Sequence, residues 1–165
     1  MAANAERTVD TEDTHVVVTR LLDAPRTLVW EAWTDPAHLR RWWFPAGWSV
    51  GDTTIELCAG GNFRHVVRSP DGVDYLSSAT IREVVRPERI VYDGTPDDRN
   101  AGGAGMPPGA EVRVTFAEEG DQTRLTVETR FKTPGACAAA DETGYAGHWA
   151  KGLEQLGDYL ATVRV

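Results

Sequence analysis

Six segments of alternating polar and apolar residues constrain the fold of this chain more than any other feature. They follow one another from Trp48 to Phe131 and read WSVGDTTIELC, GNFRHVVRS, SSATIREVV, RIVYD, AEVRVTFAEE and RLTVETRF. A period of two is typical of strands that bury one face, and most of the stretches between these segments are short and typical of turns. The sequence therefore predicts a six-stranded antiparallel meander with one covered face.

The segments on either side of the meander predict what covers that face. In DETGYAGHWAKGLEQLGDYLATVRV at the C-terminus, apolar residues recur at steps of three and four, which indicates one long amphipathic helix. Before the meander, the β-branched segment His15 to Leu22 predicts a strand. Two short helices follow it, with Asp23 and Asp35 as N-cap candidates and a proline in the first turn of each.

Composition narrows the class of protein. The chain has 165 residues, of which 41% are hydrophobic, so we expect a single domain over residues 14–165 after a disordered tail at residues 1–13. The formal net charge is −8 and the basic residues are scattered, which argues against a nucleic-acid partner. No apolar run approaches the ~20 residues of a membrane span, and the N-terminus has no signal-peptide core, so we expect a cytoplasmic protein.

Cysteine and histidine positions argue against a metal site. Cys58 and Cys137 lie far apart in sequence and are both expected to be core thiols, not a disulfide pair. The histidines and cysteines do not have the spacing that is typical of metal ligands. The glycine-rich stretches do not open a helix after a strand, so they do not indicate a phosphate-binding loop. We therefore predict neither a metal nor another cofactor.

The order of elements is that of the helix-grip arrangement, and several motifs carry a family resemblance. They are APRTLVWEAWTDPAHLRRWWFPAGWSV, GGNFRHVVRSPDGVDY, IREVVRPERIVY, VRVTFAEEGDQTRLTVET and GHWAKGLEQLGDYLA. Together they resemble bacterial single-domain proteins similar to the C-terminal domain of the activator of Hsp90 ATPase. That family is part of the START-like, Bet v 1-like (SRPBCC) superfamily, which also holds polyketide cyclases and lipid-transfer domains. The resemblance covers Thr14 to Val165.

The resemblance implies an α+β fold in which a curved sheet grips the long helix around an elongated cavity. The partner we expect in such a cavity is a small hydrophobic molecule. The family has no common catalytic motif, so no catalytic residue is carried over. The sequence has no counterpart of the N-terminal module by which the eukaryotic activator holds its chaperone, so binding to Hsp90 is not expected. The sequence leaves the oligomeric state open, a homodimer included.

An aromatic segment, RRWWFPAGWSVGD, lies between the second short helix and the first meander strand. In a helix-grip fold this position is the rim, where the helices meet the open side of the sheet. Trp42 and Trp48 are predicted to face a ligand, and Trp43 and Phe44 to pack in the core, because neighbouring residues on a helix cannot all face one way. The alternative is that all four side chains fill the gap between helix and sheet.

His65 is the polar candidate inside the grip, because it shares strand parity with Phe63 and Val67. An imidazole there would orient a ligand or act as general acid or base, with Glu56 as a weaker catalytic candidate. A hydrogen-bonded core histidine is the alternative. Tyr75, Tyr92 and His148 are weaker candidates of the same kind. The predicted ligand-binding residues are Trp42, Trp48, Phe63, His65, Tyr75, Tyr92 and Trp149.

Three functions fit these features. A module that binds a small hydrophobic molecule is favoured, because such sites are concave and mostly apolar with a few polar groups. A cyclase or hydrolase using the same cavity is the second, disfavoured by the lack of a clustered acid/base pair. A chaperone-linked interaction module is the third. The long Gly- and Pro-rich segment Asp93 to Ala110 is predicted to be a mobile lid over the cavity.

Overall fold

The computed structural model describes residues 6–10, 14–43, 47–94, 109–142 and 144–163. The elements within these ranges are β1 (Glu6–Asp10), β2 (His15–Leu22), α1 (Arg26–Thr34), α2 (Pro36–Leu39), β3 (Ser49–Ile55), β4 (Asn62–Arg68), β5 (Asp74–Val85), β6 (Arg89–Gly94), β7 (Glu111–Glu119), β8 (Gln122–Arg130), α3 (Pro134–Glu142) and α4 (Tyr145–Val163).

All these strands belong to one antiparallel sheet in the order β1-β2-β8-β7-β6-β5-β4-β3. Strands β3 to β8 are neighbours in sequence order, which confirms the predicted six-stranded meander. The predicted N-terminal strand, β2, joins the far side of the meander by pairing with β8, with Val18 opposite Val127. The sheet therefore brings the two ends of the domain together.

Strand β1 corrects the prediction of a disordered tail over residues 1–13. Glu6 lies opposite Thr19 and Asp10 lies opposite His15, so this segment adds an eighth strand to the sheet. Its sequence, ERTVD, has no apolar alternation that would have revealed it. A strand can form without such a pattern where an existing strand offers unpaired backbone groups, and the outer edge of β2 offers them.

The helices lie against the inner face of the sheet. Helix α4 is the predicted long helix, and its buried residues are Tyr145, Ala146, Trp149, Leu153, Leu156 and Leu160. The predicted cap of α2 is confirmed, because Asp35 Oδ1 accepts a hydrogen bond from the Ala37 amide at 2.9 Å. The predicted cap of α1 is wrong. The Ala24 amide donates a hydrogen bond to the Leu22 carbonyl at 2.9 Å. The helix α1 therefore begins later, after Pro25.

The core lies between the sheet and the helices, as the alternation predicts. Val112, Val114 and Phe116 on β7 are buried, and so are Leu125 and Val127 on β8. This arrangement confirms the helix-grip fold. Helix α3 was not predicted.

The two cysteines differ in their surroundings. Cys137 on α3 is buried as expected, but Cys58 is exposed because it lies in the turn that follows β3. No helix within the described ranges has both the length and the apolar character needed to cross a membrane.

Candidate functional site

The space between the sheet and the helices is occupied by an aromatic cluster. Its members are Trp33, Trp42, Trp43, Phe63, Tyr92 and Trp149. Their ring centroids lie 4.7 to 5.9 Å apart in these pairs, which is the range of favourable aromatic contacts. The cluster joins α1, β4, β6, α4 and the segment after α2.

Trp33 on α1 is the centre of the cluster. Its indole is parallel to that of Trp149 on α4, with ring centroids 5.9 Å apart and planes 6° apart. Its Nε1 donates a hydrogen bond to the Tyr92 hydroxyl at 2.8 Å. Burial raises the pKa of Tyr92 above its ordinary value, so the phenol stays neutral. Trp33 was not among the predicted site residues, although its helical spacing with Val29 indicated that it is buried.

Trp42 and Trp43 are both part of the core. Helix α2 ends at Leu39, so both residues lie in the turn after it, and both indoles pack inward. Trp42 Nε1 donates to the Ala32 carbonyl at 2.9 Å, and the Trp42 carbonyl accepts from Gln155 Nε2 at 2.9 Å. Trp42, predicted to face a ligand, thus connects α1 to α4 through its own hydrogen bonds. Phe44 lies outside the described residues.

His65 lies on the inner face of β4 with no exposed surface. Its ring meets Phe63 edge-on, with centroids 4.5 Å apart, and lies 5.6 Å from the Trp43 ring. Neither Nδ1 nor Nε2 has a hydrogen-bond partner in the described part of the chain. Burial lowers the pKa of the imidazole to about 4, so His65 is neutral near pH 7.

Trp48 and Tyr75 lie at the solvent-exposed end of the same face. Tyr75 is opposite Val67 in the β4–β5 register, and His65 is opposite Ser77, so their backbone positions face the same side. Tyr75 is 38% exposed, Trp48 is half-buried, and their ring centroids lie 5.9 Å apart. These two aromatic residues, here called the rim pair, mark the outer end of the surface whose inner part holds His65.

Glu56 and His65 are not brought together. Glu56 is exposed after the end of β3, and its Oε1 accepts hydrogen bonds from the backbone and side-chain amides of Asn62, at 3.1 and 2.5 Å. His65 is enclosed by aromatic rings on the inner face. The arrangement of these two groups therefore offers no carboxylate–imidazole pair.

Other predicted features fall elsewhere. His148 on α4 is exposed. Of the segment predicted as a lid, residues 95–108 lie outside the described residues. Among the residues that the structure describes, no group of three His, Cys, Asp or Glu side chains is placed to hold a metal ion.

An antiparallel sheet that grips one long C-terminal helix around an aromatic interior defines a START-like, helix-grip domain. The chain belongs to the family described as Activator of Hsp90 ATPase homolog 1-like protein, whose family model matches residues 23–161. No curated protein matches the chain.

Solved structures of several bacterial proteins share the fold. A protein from Arthrobacter aurescens has a TM-score of 0.82 and 23% identity, over 95% of this chain and 91% of that one. Protein NE0264 from Nitrosomonas europaea has a TM-score of 0.80 and 25% identity, over 94% and 99%. An AHSA1-like protein from Aeromonas hydrophila has a TM-score of 0.67 and 22% identity, over 89% and 93%.

Proposed function

We propose that this protein binds a small hydrophobic molecule between the sheet and α4, with His65 as its polar anchor. The observation that carries the proposal is that neither ring nitrogen of His65 has a hydrogen-bond partner among the described residues. Buried polar side chains are nearly always hydrogen-bonded, and an imidazole that forms no hydrogen bond loses the stabilisation it has in water. A ligand that supplies the missing hydrogen bonds would recover that free energy, which favours binding at this position.

The state of His65 indicates the chemistry of the ligand. A neutral imidazole has one donor and one acceptor nitrogen, and the surrounding rings of Phe63 and Trp43 are apolar. These two rings carry no positive charge that would offset a buried carboxylate, so burying one beside them would be costly. The ligand we expect is therefore uncharged and largely aromatic or aliphatic, with a hydroxyl or carbonyl group that hydrogen-bonds to His65.

The rim pair supplies the route to this anchor. Trp48 and Tyr75 are the partly exposed aromatic residues at the outer end of the His65 face. Because His65 has no exposed surface, a ligand reaches it only when side chains nearer the solvent move. We therefore expect binding to change the environment of Trp48, and to be slower than diffusion-limited association.

The test is a fluorescence and calorimetric titration of the full chain with a panel of flavonoids, fatty acids and aromatic polyketides. At least one uncharged, hydroxylated compound should bind saturably and change the tryptophan emission. His65→Phe should abolish that binding, because phenylalanine keeps the aromatic packing and removes both ring nitrogens. Trp48→Ala should reduce the emission change.

The matched control is His148→Gln, which alters an exposed histidine on α4 and should leave binding unchanged. A panel without any saturable response would contradict the proposal. So would a folded His65→Phe variant that binds like the wild type, because the imidazole would then contribute nothing to recognition.

A further inference from the structure

A concave site lies at the edge formed by the ends of three central strands of the sheet, where β6 ends, β7 begins and β8 ends. Its volume is about 440 Å³, which is within the range of small-molecule sites. The lining residues are Arg82, Asp93, Gly94, Gly109, Glu111, Arg130, Phe131 and Lys132. We call it the edge pocket.

The edge pocket is separate from the aromatic cluster. Asp93 is opposite Glu111, and Glu111 is opposite Arg130, so these three positions face one side of the sheet. Their neighbours Tyr92 and Val112 are buried on the other side. Since successive strand residues face opposite sides, the charged wall of the pocket lies on the outer face.

Among the residues that the structure describes, each charged group of the edge pocket has a partner of opposite charge, with one exception. Arg82 Nε donates to Asp93 Oδ2 at 2.9 Å, and Arg82 Nη1 lies 3.4 Å from Glu111 Oε2. Arg130 Nε donates to Glu128 Oε1 at 3.2 Å. Lys132 is exposed, and no carboxylate of the described residues lies within 4.0 Å of its ammonium group.

The apolar part of the lining is formed by Phe131 and two glycines. Phe131 is 8% exposed and packs its ring against Tyr145, with centroids 5.5 Å apart. Gly94 and Gly109 leave space because they have no side chains. At Gly109 a Cβ atom would come within 3.5 Å of Lys132 Cε, so the lysine stem lies directly over this glycine. The pocket thus combines an apolar lining residue with a cation that no carboxylate of the described residues compensates.

We propose that the edge pocket binds a small organic carboxylate. The carboxylate accepts a charge-assisted hydrogen bond from the Lys132 ammonium, and the apolar body of the ligand contacts Phe131. An uncharged ligand lacks the first interaction, and an inorganic anion lacks the second. Two carboxylates line the pocket, Asp93 and Glu111. Arg82 pairs with both, and Arg113 Nη2 lies 3.6 Å from Glu111 Oε1, so two guanidinium groups offset the two negative charges and limit their repulsion of an anion.

The test is an NMR titration of the full chain with benzoate, with benzyl alcohol as the uncharged probe of similar size. Benzoate should shift the amide signals of Gly94, Gly109 and Lys132 saturably. Lys132→Gln should weaken benzoate binding about tenfold, the loss expected when one hydrogen bond to a charged group is removed. Benzyl alcohol should bind more weakly than benzoate and should respond little to the substitution.

Lys151→Gln is the matched control. Lys151 and Lys132 are the two lysines of the chain, and Lys151 lies on α4 beside Glu154, with Nζ and Oε1 3.5 Å apart. This variant should bind benzoate like the wild type. Equal benzoate affinity in the wild type and Lys132→Gln would overturn the proposal. Equal affinity for benzoate and benzyl alcohol, or a lack of saturable shifts at the pocket, would also overturn it.

Discussion

The indoles of Trp33 and Trp149 are nearly parallel, with 5.9 Å between their centroids, and they form a direct aromatic contact between α1 and α4. The two residues are far apart in sequence. Their contact closes the interior over the sheet on the side where the two helices approach each other. The packing of α4 therefore depends on a side chain supplied by the other end of the domain.

Replacing Trp149 by Ala should destabilise the protein by about 3–5 kcal/mol, the usual cost of deleting a buried tryptophan side chain. The loss includes the contacts with both Trp33 and Trp43. Urea denaturation measures the effect. Trp149→Phe should lose clearly less stability than Trp149→Ala, because phenylalanine retains one ring. If both variants unfold at the wild-type urea concentration, the contact does not hold α4 in place.

Tyr92→Phe should destabilise the protein by about 1–3 kcal/mol, because it leaves the buried Trp33 Nε1 without its acceptor. Differential scanning calorimetry gives the change in Tm. Tyr159→Phe is the comparison: Tyr159 is partly exposed and its hydroxyl contacts His38 Nδ1 at 2.5 Å, so water can replace the lost hydroxyl. A larger loss of stability at Tyr159 than at Tyr92 would contradict this interpretation.

The His65 imidazole should make the stability depend on pH in acid. Its pKa falls from 6.5 to about 4 on folding, so below pH 6.5 the unfolded state binds a proton that the folded state does not. The contribution of neutral His65 to the free energy of unfolding is complete above pH 6.5 and is lost as the pH falls to about 4. The loss approaches about 3 kcal/mol, which is the free energy of this pKa difference.

The measurement is the free energy of unfolding of the wild type and His65→Phe at several pH values between 7 and 4. Carboxylates titrate in both proteins, so only the difference between the two reports on His65. That difference should change in favour of the variant as the pH falls. A difference that stays constant over this range would show that His65 is protonated equally in the folded and unfolded states.

Deleting residues 1–12 should leave the fold intact and destabilise it, because β2 loses its outer partner. Backbone amides of β2 that face β1 should then exchange with solvent much faster in hydrogen-exchange experiments. Amides of β4 and β5, which are far from β1 in the sheet order, serve as the internal control. Unchanged protection along β2 would mean that β1 contributes little to the sheet in solution.

Much of this fold was predictable because it depends on local periodicity. The alternation in β7 and β8 identified the buried residues, and steps of three and four identified α4. The same alternation correctly predicted that the His65 side chain faces the interior. Strand β1 was missed because its formation depends on the edge of β2 and not on its own sequence.

The site was less predictable than the fold, because it depends on how separate elements meet. No periodicity indicates that Trp42 Nε1 bonds to the Ala32 carbonyl, or that Gln155 reaches the Trp42 carbonyl. The central position of Trp33 likewise follows from the docking of α4. Glu56 is separated from His65 because it lies past the end of β3, bonded to Asn62, a detail that strand parity does not convey.

The contacts among Trp33, Trp42, Trp43 and Trp149 also have a spectroscopic consequence. Indoles held this close at fixed angles couple their electronic transitions, so we expect the far-ultraviolet circular dichroism of this protein to contain an aromatic signal in addition to that of the backbone. A helix content calculated from that spectrum alone will be in error. The same signal is an advantage during heating, because it vanishes when the four rings lose their mutual orientation, whether or not the helices have melted.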